Sequence, residues 1–369
     1  MKKTLFTMAA AAMSVVAVQA ATVEINLTGA TAFRSDAYNA VRAMYDGGVP
    51  ALQNPAHNAN GQNRVTFSGT MTTLFGSDTV IVRTSYNGSA EGVGVVVNGE
   101  TRQYLFSATP GVATLTNMTA DFAFSDVFQS STDFQSVALE ESVLVGFEQK
   151  PGIAVIPFVW TRGSSCTNTV VDITAQNARA LTGVGYLPLY LITGNTNEVT
   201  SPQIVNLVGR DNGSGTRITM LSEIGLGPLP SIGQRRSTNG FFGPDPIGFS
   251  SGSFCRTNIN SPATSLQGPG GAVSYLSPGD RDVAVAGGGA SLTYDGVAYS
   301  KDAVRSGKYT MWGFEHLYSL PIAGTGSNEE IFRDAFVPVI DAALEGGNNA
   351  IRVGTMYVTR QADGAVVTP

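Results

Sequence analysis

The chain reads as an α/β protein, and three observations lead there. Short β-branched apolar runs recur, as in "TVEINLT" (22–28), "TVIVR" (79–83) and "IVNLVG" (204–209). Each is followed by a turn rich in Gly, Ser, Thr or Asn, and helix-period stripes take up after several of these turns. Strands thus alternate with helices along the chain. The length of 369 residues, with 43% hydrophobic and 14% charged content, supplies a large core and suits two domains better than one.

The elements follow in order. "MKKTLFTMAAAAMSVVAVQA" places two lysines before a short apolar run and ends in Val18-Gln19-Ala20, the small-x-small pattern of a secretory signal. Residues 1–20 are therefore expected to be cut off after Ala20, leaving a periplasmic or secreted chain. The apolar stretch is too short to span a bilayer, and no cysteine follows it to carry a lipid. Alternation over 22–28 predicts a strand, "GATAFR" a turn, and Ala37, Ala40, Val41, Met44 and Tyr45 a helix capped by Ser35 and stopped by Gly47. Residues 49–78 read as irregular, Asn98-Gly99 as a hairpin turn, and "ADFAFSDV" (120–127) as a strand ending in a hydroxyl and a carboxylate. The apolar stretch from Val143 to Trp160 predicts strands crossing between two lobes. Thr174 caps a helix ended by Gly183, residues 225–272 read as long surface loops, and "GGAVSYLSPGD" as a buried strand. Ser327 and Glu330 form a capping box before a stripe through Phe332, Phe336 and Ile340, with Pro338 expected to kink it. Trp160 and Trp312 are read as packing residues near the crossing.

Composition excludes several functions. Once Lys2 and Lys3 leave, 22 basic residues become 20 against 28 acidic ones, a balance of −8. Nucleic acid and anionic membranes are poor partners for such a surface. A small anion is still admissible, because charges beyond roughly 10 Å are screened. With two histidines and two separated cysteines, no metal-ligand cluster is legible, and no cofactor is expected. Cys166 and Cys255 permit one disulfide in an oxidising compartment, or two buried free thiols; the bridge is the expectation.

The most informative stretch is "VGRDNGSGTRITML" (208–221), which lies between the apolar run and a helical stripe of Ile218, Leu221 and Ile224. It therefore sits at a strand-to-helix turn, where unpaired N–H groups and the helix dipole attract an anion. Taken together, "GATAF", "YNGSAEG", "DFAFSD", "DITAQNARALTG", "GRDNGSGTR", "GAVSYL" and "SGKYTMWGFEHLY" resemble, in the same order, the landmarks of periplasmic phosphate-binding proteins of ABC importers. The resemblance runs from Gly29 to about Tyr318. It implies a two-lobe periplasmic-binding-protein-like fold with hinge strands and a ligand cleft. Lobe 1 would comprise 21–152 and 314–369, and lobe 2 153–313. It further implies Ala32 and Phe33 as backbone donors, Ser89 as a hydroxyl donor, Asp126 as acceptor of a phosphate proton, and Arg210 as a charged fork. Ser214, Gly215 and Thr216 would supply hydroxyl and N–H groups. The implied partners are inorganic phosphate or a related oxyanion and an ABC permease, with the chain a monomer.

Three positions depart from that pattern: Ala32 replaces a hydroxyl residue for which Thr31 is the substitute, Asn212 replaces the carboxylate expected to orient Arg210, with Asp211 one place early, and "AEGVGVVV" after Ser89 is poor in helix formers. The alternatives are a tungstate or molybdate binder, and a secreted adhesive, scaffolding or sensory protein on the same fold. A serine hydrolase is the enzymatic alternative: Gly248-Phe249-Ser250-Ser251-Gly252 matches G-x-S-x-G, but its flanks are unsuitable and His57 and His316 are the only histidine bases. The expectation is a binding protein without catalytic residues.

Overall fold

The computed structural model describes residues 20–48, 51–52, 60–106, 114–200, 202–265, 267–322, 325–344, 347 and 349–369. The signal segment 1–19 and His57 lie outside the described residues. Two sheets carry the two lobes. The first, eight-stranded, runs in the order Ala51–Leu52, Arg64–Gly69, Thr79–Tyr86, Thr22–Gly29, Phe122–Ser125, Trp312–Ser319, Glu140–Ser142, with Ala154–Pro157 also pairing to Trp312–Ser319. Thr22–Gly29 is parallel to its neighbours on both sides, and Ile25, Leu27, Val80, Val82, Phe122 and Phe124 are buried. Both faces of this central strand are covered, so its alternating polar residues Asn26 and Thr28 are buried along with the apolar ones. The helices Arg34–Met44 and Asn328–Ala343 pack together against this lobe.

The second sheet has five strands in the order Tyr186–Pro188, Ile204–Leu207, Gly270–Leu276, Val159–Arg162, Ala290–Ser291. The crossing between the lobes is compact. Ala154–Pro157 pairs with the first sheet through Trp312–Ser319, whereas Val159–Arg162 pairs with Gly270–Leu276. Between them the Phe158 amide donates to the Met311 carbonyl at 2.9 Å, and Tyr309 Oη donates to the Phe158 carbonyl at 2.6 Å. Trp160 and Trp312 are fully buried on either side, Trp160 edge-on to Tyr275 and Trp312 edge-on to Phe314. Both pack as the sequence suggests. Arg360 lies over the Trp312 ring and bonds Glu223, which ties the C-terminal segment to the second lobe.

Several local expectations are corrected. The first helix starts at Arg34 with Phe33 at its N-cap and no side-chain cap, so Ser35 does not cap it, and it ends at Met44 before Gly47. Residues 49–78 contain the strand Arg64–Gly69, paired antiparallel to Thr79–Tyr86. Asn98-Gly99 is not a hairpin: Ser89–Asn98 is a helix and Gly99, at φ 63°, is its left-handed C-cap. Burial of Val93, Val95, Val96 and Val97 outweighs their weak helix propensity. The Thr174-capped helix does form, with its capping box, and ends at Gly185. Residues 225–272 hold a three-stranded sheet of Arg235–Thr238, Phe241–Pro244 and Thr264–Ser265, and the helix Gly252–Ile259.

The disulfide is also corrected. Cys166 and Cys255 are free, buried thiols in separate packing clusters. Cys255 Sγ donates to the Gly209 carbonyl at 3.5 Å, and burial raises the Cys166 thiol to about 11 and the Cys255 thiol to about 12. Each sulfur is held by its own surroundings. No helix among the described residues is long and apolar enough to cross a membrane.

Candidate functional site

Parallel strands deliver their following loops to one edge of a sheet, which is where α/β folds place ligands. Thr22–Gly29 delivers Thr31 to Phe33, Thr79–Tyr86 delivers Ser89, and Phe122–Ser125 delivers Asp126. From the second lobe, Ile204–Leu207 delivers Arg210 to Thr216. These loops meet. Ser89 Oγ donates to Asp126 Oδ1 at 2.9 Å and accepts from the Asp126 amide at 3.2 Å. Thr216 Oγ1 donates to Asp126 Oδ2 at 3.3 Å and accepts from Arg210 Nη1 at 3.3 Å. Arg210 Nη2 reaches Thr31 Oγ1 at 3.2 Å in the opposite lobe.

Arg210 is 2% exposed. Its remaining bonds run to main chain: Nε to the Phe249 carbonyl at 2.9 Å and Nη2 to the Ser250 carbonyl at 2.8 Å. Among the described residues no carboxylate lies within ion-pair distance of it. Neither Asp211 nor Asn212 orients the guanidinium. Asp211 Oδ1 is buried without a partner, and Asn212 lines an outer pocket with Glu91 and Leu229. The G-x-S-x-G stretch therefore has a different use. Its Phe249 and Ser250 carbonyls fix Arg210, Gly248 at φ 84° allows the Arg210 backbone to approach, and Ser251 caps Gly252–Ile259. His316 is bonded to Glu141 at 2.7 Å instead of facing these serines.

Burial pushes the Asp126 carboxyl above the usual range, opposed by Ser89, Arg210 and Thr216. Gly215 is required by the fit, since a β-carbon there would stand 2.4 Å from Ser89 Oγ. Ser214 is buried, but its oxygen accepts from the Arg217 amide at 3.3 Å as a helix cap. Phe33 packs on Phe124 and opens a helix with no side-chain cap, and the Ser89–Asn98 helix is likewise uncapped. Their leading amides keep no side-chain acceptor. Ala32 is buried beside them.

The sequence reading passed over Arg34, the last residue of "GATAFR". Its Nη1 donates to the Thr31 carbonyl at 2.7 Å and to Ser251 Oγ of the other lobe at 3.4 Å, with Asp280 at 3.8 Å. Burial, then Arg210 and Arg256, lower its proton affinity while Asp280 raises it. Two guanidinium groups thus act on each other at the cleft. The polar pocket beside them, about 340 Å³, is lined by Thr31, Arg34 and Asn60 from one lobe and Arg256, Ser277 and Asp280 from the other. Position directly after the first loop was the one available signal for Arg34. Nothing in the sequence pointed to Phe249 or Ser250, which act through carbonyls that any residue carries.

No protein-family profile and no curated protein matches the chain. Among solved structures it is similar to an ABC-type phosphate transport receptor from Vibrio cholerae, at 13% identity over 87% of this chain and 97% of that one, TM-score 0.46. It is similar to PstS from Borrelia burgdorferi at 11% identity over 89% and 98%, TM-score 0.40. The oxidised form of OxyR is similar at 9% identity over 89% and 97%, TM-score 0.38. Similarity at this level does not discriminate among functions; the residues of the site have to.

Proposed function

We propose that the chain captures a tetrahedral oxyanion, phosphate foremost, in the cleft between its lobes, as an exported solute-binding protein serving an ABC-type importer. The observation that carries this reading is Arg210, a buried guanidinium whose partners are uncharged oxygens drawn from both lobes, with no carboxylate in ion-pair distance among the described residues. A buried cation without a direct ion-pair partner is costly, by several kcal/mol, and the Asp126 and Asp211 carboxylates act on it only at longer range. An anion between the lobes offsets that cost, and Arg34 adds a second charge close by. Asp126 selects within the class: a carboxylate facing an anion is repulsive unless the ligand carries a proton. Phosphate near neutral pH does, whereas sulfate, molybdate and tungstate do not.

The bond from Arg210 to Thr31 supports closure of one lobe on the other around the ligand. The expected lobes, 21–152 with 314–369 and 153–313, are the proposed moving units, with Ala154–Pro157 and Trp312 staying with the first sheet and the hinge lying where Phe158 meets Met311. Export with cleavage after Ala20 fits the first strand, because the Ala21 amide already donates to Asp78 Oδ1 at 2.8 Å. The binding reading also absorbs the serine motif, whose carbonyls hold Arg210, so no catalytic role is assigned.

Calorimetric titration with inorganic phosphate tests the proposal on wild type and Arg210→Ala. Removing the charged fork should weaken binding by at least about 2 kcal/mol, roughly thirtyfold. Equal affinity in the variant would misplace the site, and a wild type that ignores phosphate but takes molybdate would overturn the ligand.

A further inference from the structure

Glu315 is a buried acid that the anion site leaves unexplained. It lies in Trp312–Ser319, is 0% exposed, and neither of its carboxyl oxygens has a hydrogen-bond partner. The antiparallel register pairs Leu317 with Phe124 and His316 with Ser125, so one step further Glu315 stands opposite Asp126. Gly313, two residues earlier on the same strand, lies against the Asp126 carbonyl, and the Asp126 charge acts on Glu315. On the other side the strand pairs Glu315 with Ala154, which offers no charge. The titratable groups that act on Glu315 are Asp126, Asp36 of the Arg34–Met44 helix, Tyr86 at the end of its strand, and Tyr318 on its own strand. All are acids, and the Tyr86 hydroxyl is itself buried without a partner. Two ionised carboxylates side by side in a dry interior repel strongly, whereas an acid donating to a carboxylate satisfies both.

We propose that Glu315 is a proton-holding positioning residue for the anion site: its un-ionised carboxyl donates its O–H to Asp126, so the pair carries one negative charge and Asp126 remains the ionised acceptor that reads the ligand's proton. Lone-pair counting agrees. A carboxylate has about four acceptor sites. Ser89 fills one and Thr216 another, Glu315 takes a third, and one is left for a ligand proton. Burial and the Asp126 charge push Glu315 well above the carboxylate range, in keeping with this arrangement. In its binding aspect the inference rests on the phosphate reading; the state of the proton does not.

The test compares wild type with Glu315→Gln, which keeps a donor toward Asp126 but cannot ionise. Infrared spectra at neutral pH should show an un-ionised carboxyl C=O stretch in wild type that the variant lacks. Absence of that band in wild type, or its persistence in the variant, overturns the assignment. Thermal unfolding gives a ligand-independent check. Above the ordinary Glu value the folded state alone holds this proton, so wild-type stability falls with rising pH relative to the variant until Glu315 ionises. Titration with inorganic phosphate at rising pH should show wild type losing affinity against Glu315→Gln once the infrared band of the un-ionised carboxyl disappears, about tenfold for each further pH unit. Parallel affinity profiles through the pH at which that band is lost would overturn the positioning role. If wild type binds no phosphate, the phosphate reading fails and the infrared band still decides where the proton sits.

Discussion

Gly215 is one of the places where the two lobes press together at the site, and replacing it with alanine separates closure from folding. A β-carbon there would lie 2.4 Å from Ser89 Oγ, 2.7 Å from Ser89 Cβ and 3.1 Å from Asp126 Cγ. Ordinary contacts between carbons sit near 3.5 to 4.0 Å, so the methyl group needs about 1 Å more room. Ser89 cannot turn aside without breaking its bonds to the Asp126 carboxylate and amide. Forcing the group in costs about 1–3 kcal/mol, and moving the lobes apart instead gives up the bond from Thr216 to the Asp126 carboxylate, worth about 1.5–3 kcal/mol. With partial relaxation, Gly215→Ala should weaken phosphate binding by about 3 kcal/mol, more than a hundredfold. The second lobe itself should not suffer. Gly215 is not among the positive-φ residues, and alanine exceeds glycine in a helix by up to about 1 kcal/mol. The thermal midpoint without ligand should therefore hold or rise while calorimetric affinity falls and small-angle scattering shows no compaction on adding phosphate. A variant that binds within about threefold of wild type and compacts normally would refute closure through this contact.

Asp126→Asn should narrow the preference for phosphate over sulfate, because the amide can donate to an unprotonated oxygen where the carboxylate repels it. Titration of both proteins with both anions measures this, and equal sulfate rejection by the variant would reduce Asp126 to a structural cap for Ser89 and Thr216. Cys166 and Cys255 should be silent to a thiol reagent at neutral pH in the folded protein, being buried with thiols raised to about 11 and about 12, and should both react after unfolding in denaturant. A denatured, unreduced chain with no reactive thiol would mean that the two are bridged after all.

The α/β class, the strand at residues 22–29, the Thr174 and Ser327 helix caps and the strand-to-helix turn at 208–216 were legible in the sequence, because each depends on residues close together in the chain. Pattern and capping chemistry act within a turn or two, and a linear reading has access to them. The Ser89–Asn98 helix was not legible as such: its valines favour strands locally, and only burial on the first sheet makes them helical. Nor were the strand Arg64–Gly69 and the small sheet within 225–272, whose pairing partners come from elsewhere in the chain. At the site the sequence supplied the residue types, Arg210, Thr216, Ser89 and Asp126, and tertiary structure decided their connections. Thr31, and not the neighbouring Asp211, receives Arg210 across the cleft, and the Phe249 and Ser250 carbonyls hold it. Glu315 meets Asp126 through a strand register spanning nearly two hundred residues of chain, a distance at which sequence pattern carries no information. Local geometry is written in neighbouring side chains, whereas the state of a buried charge depends on what surrounds it in space.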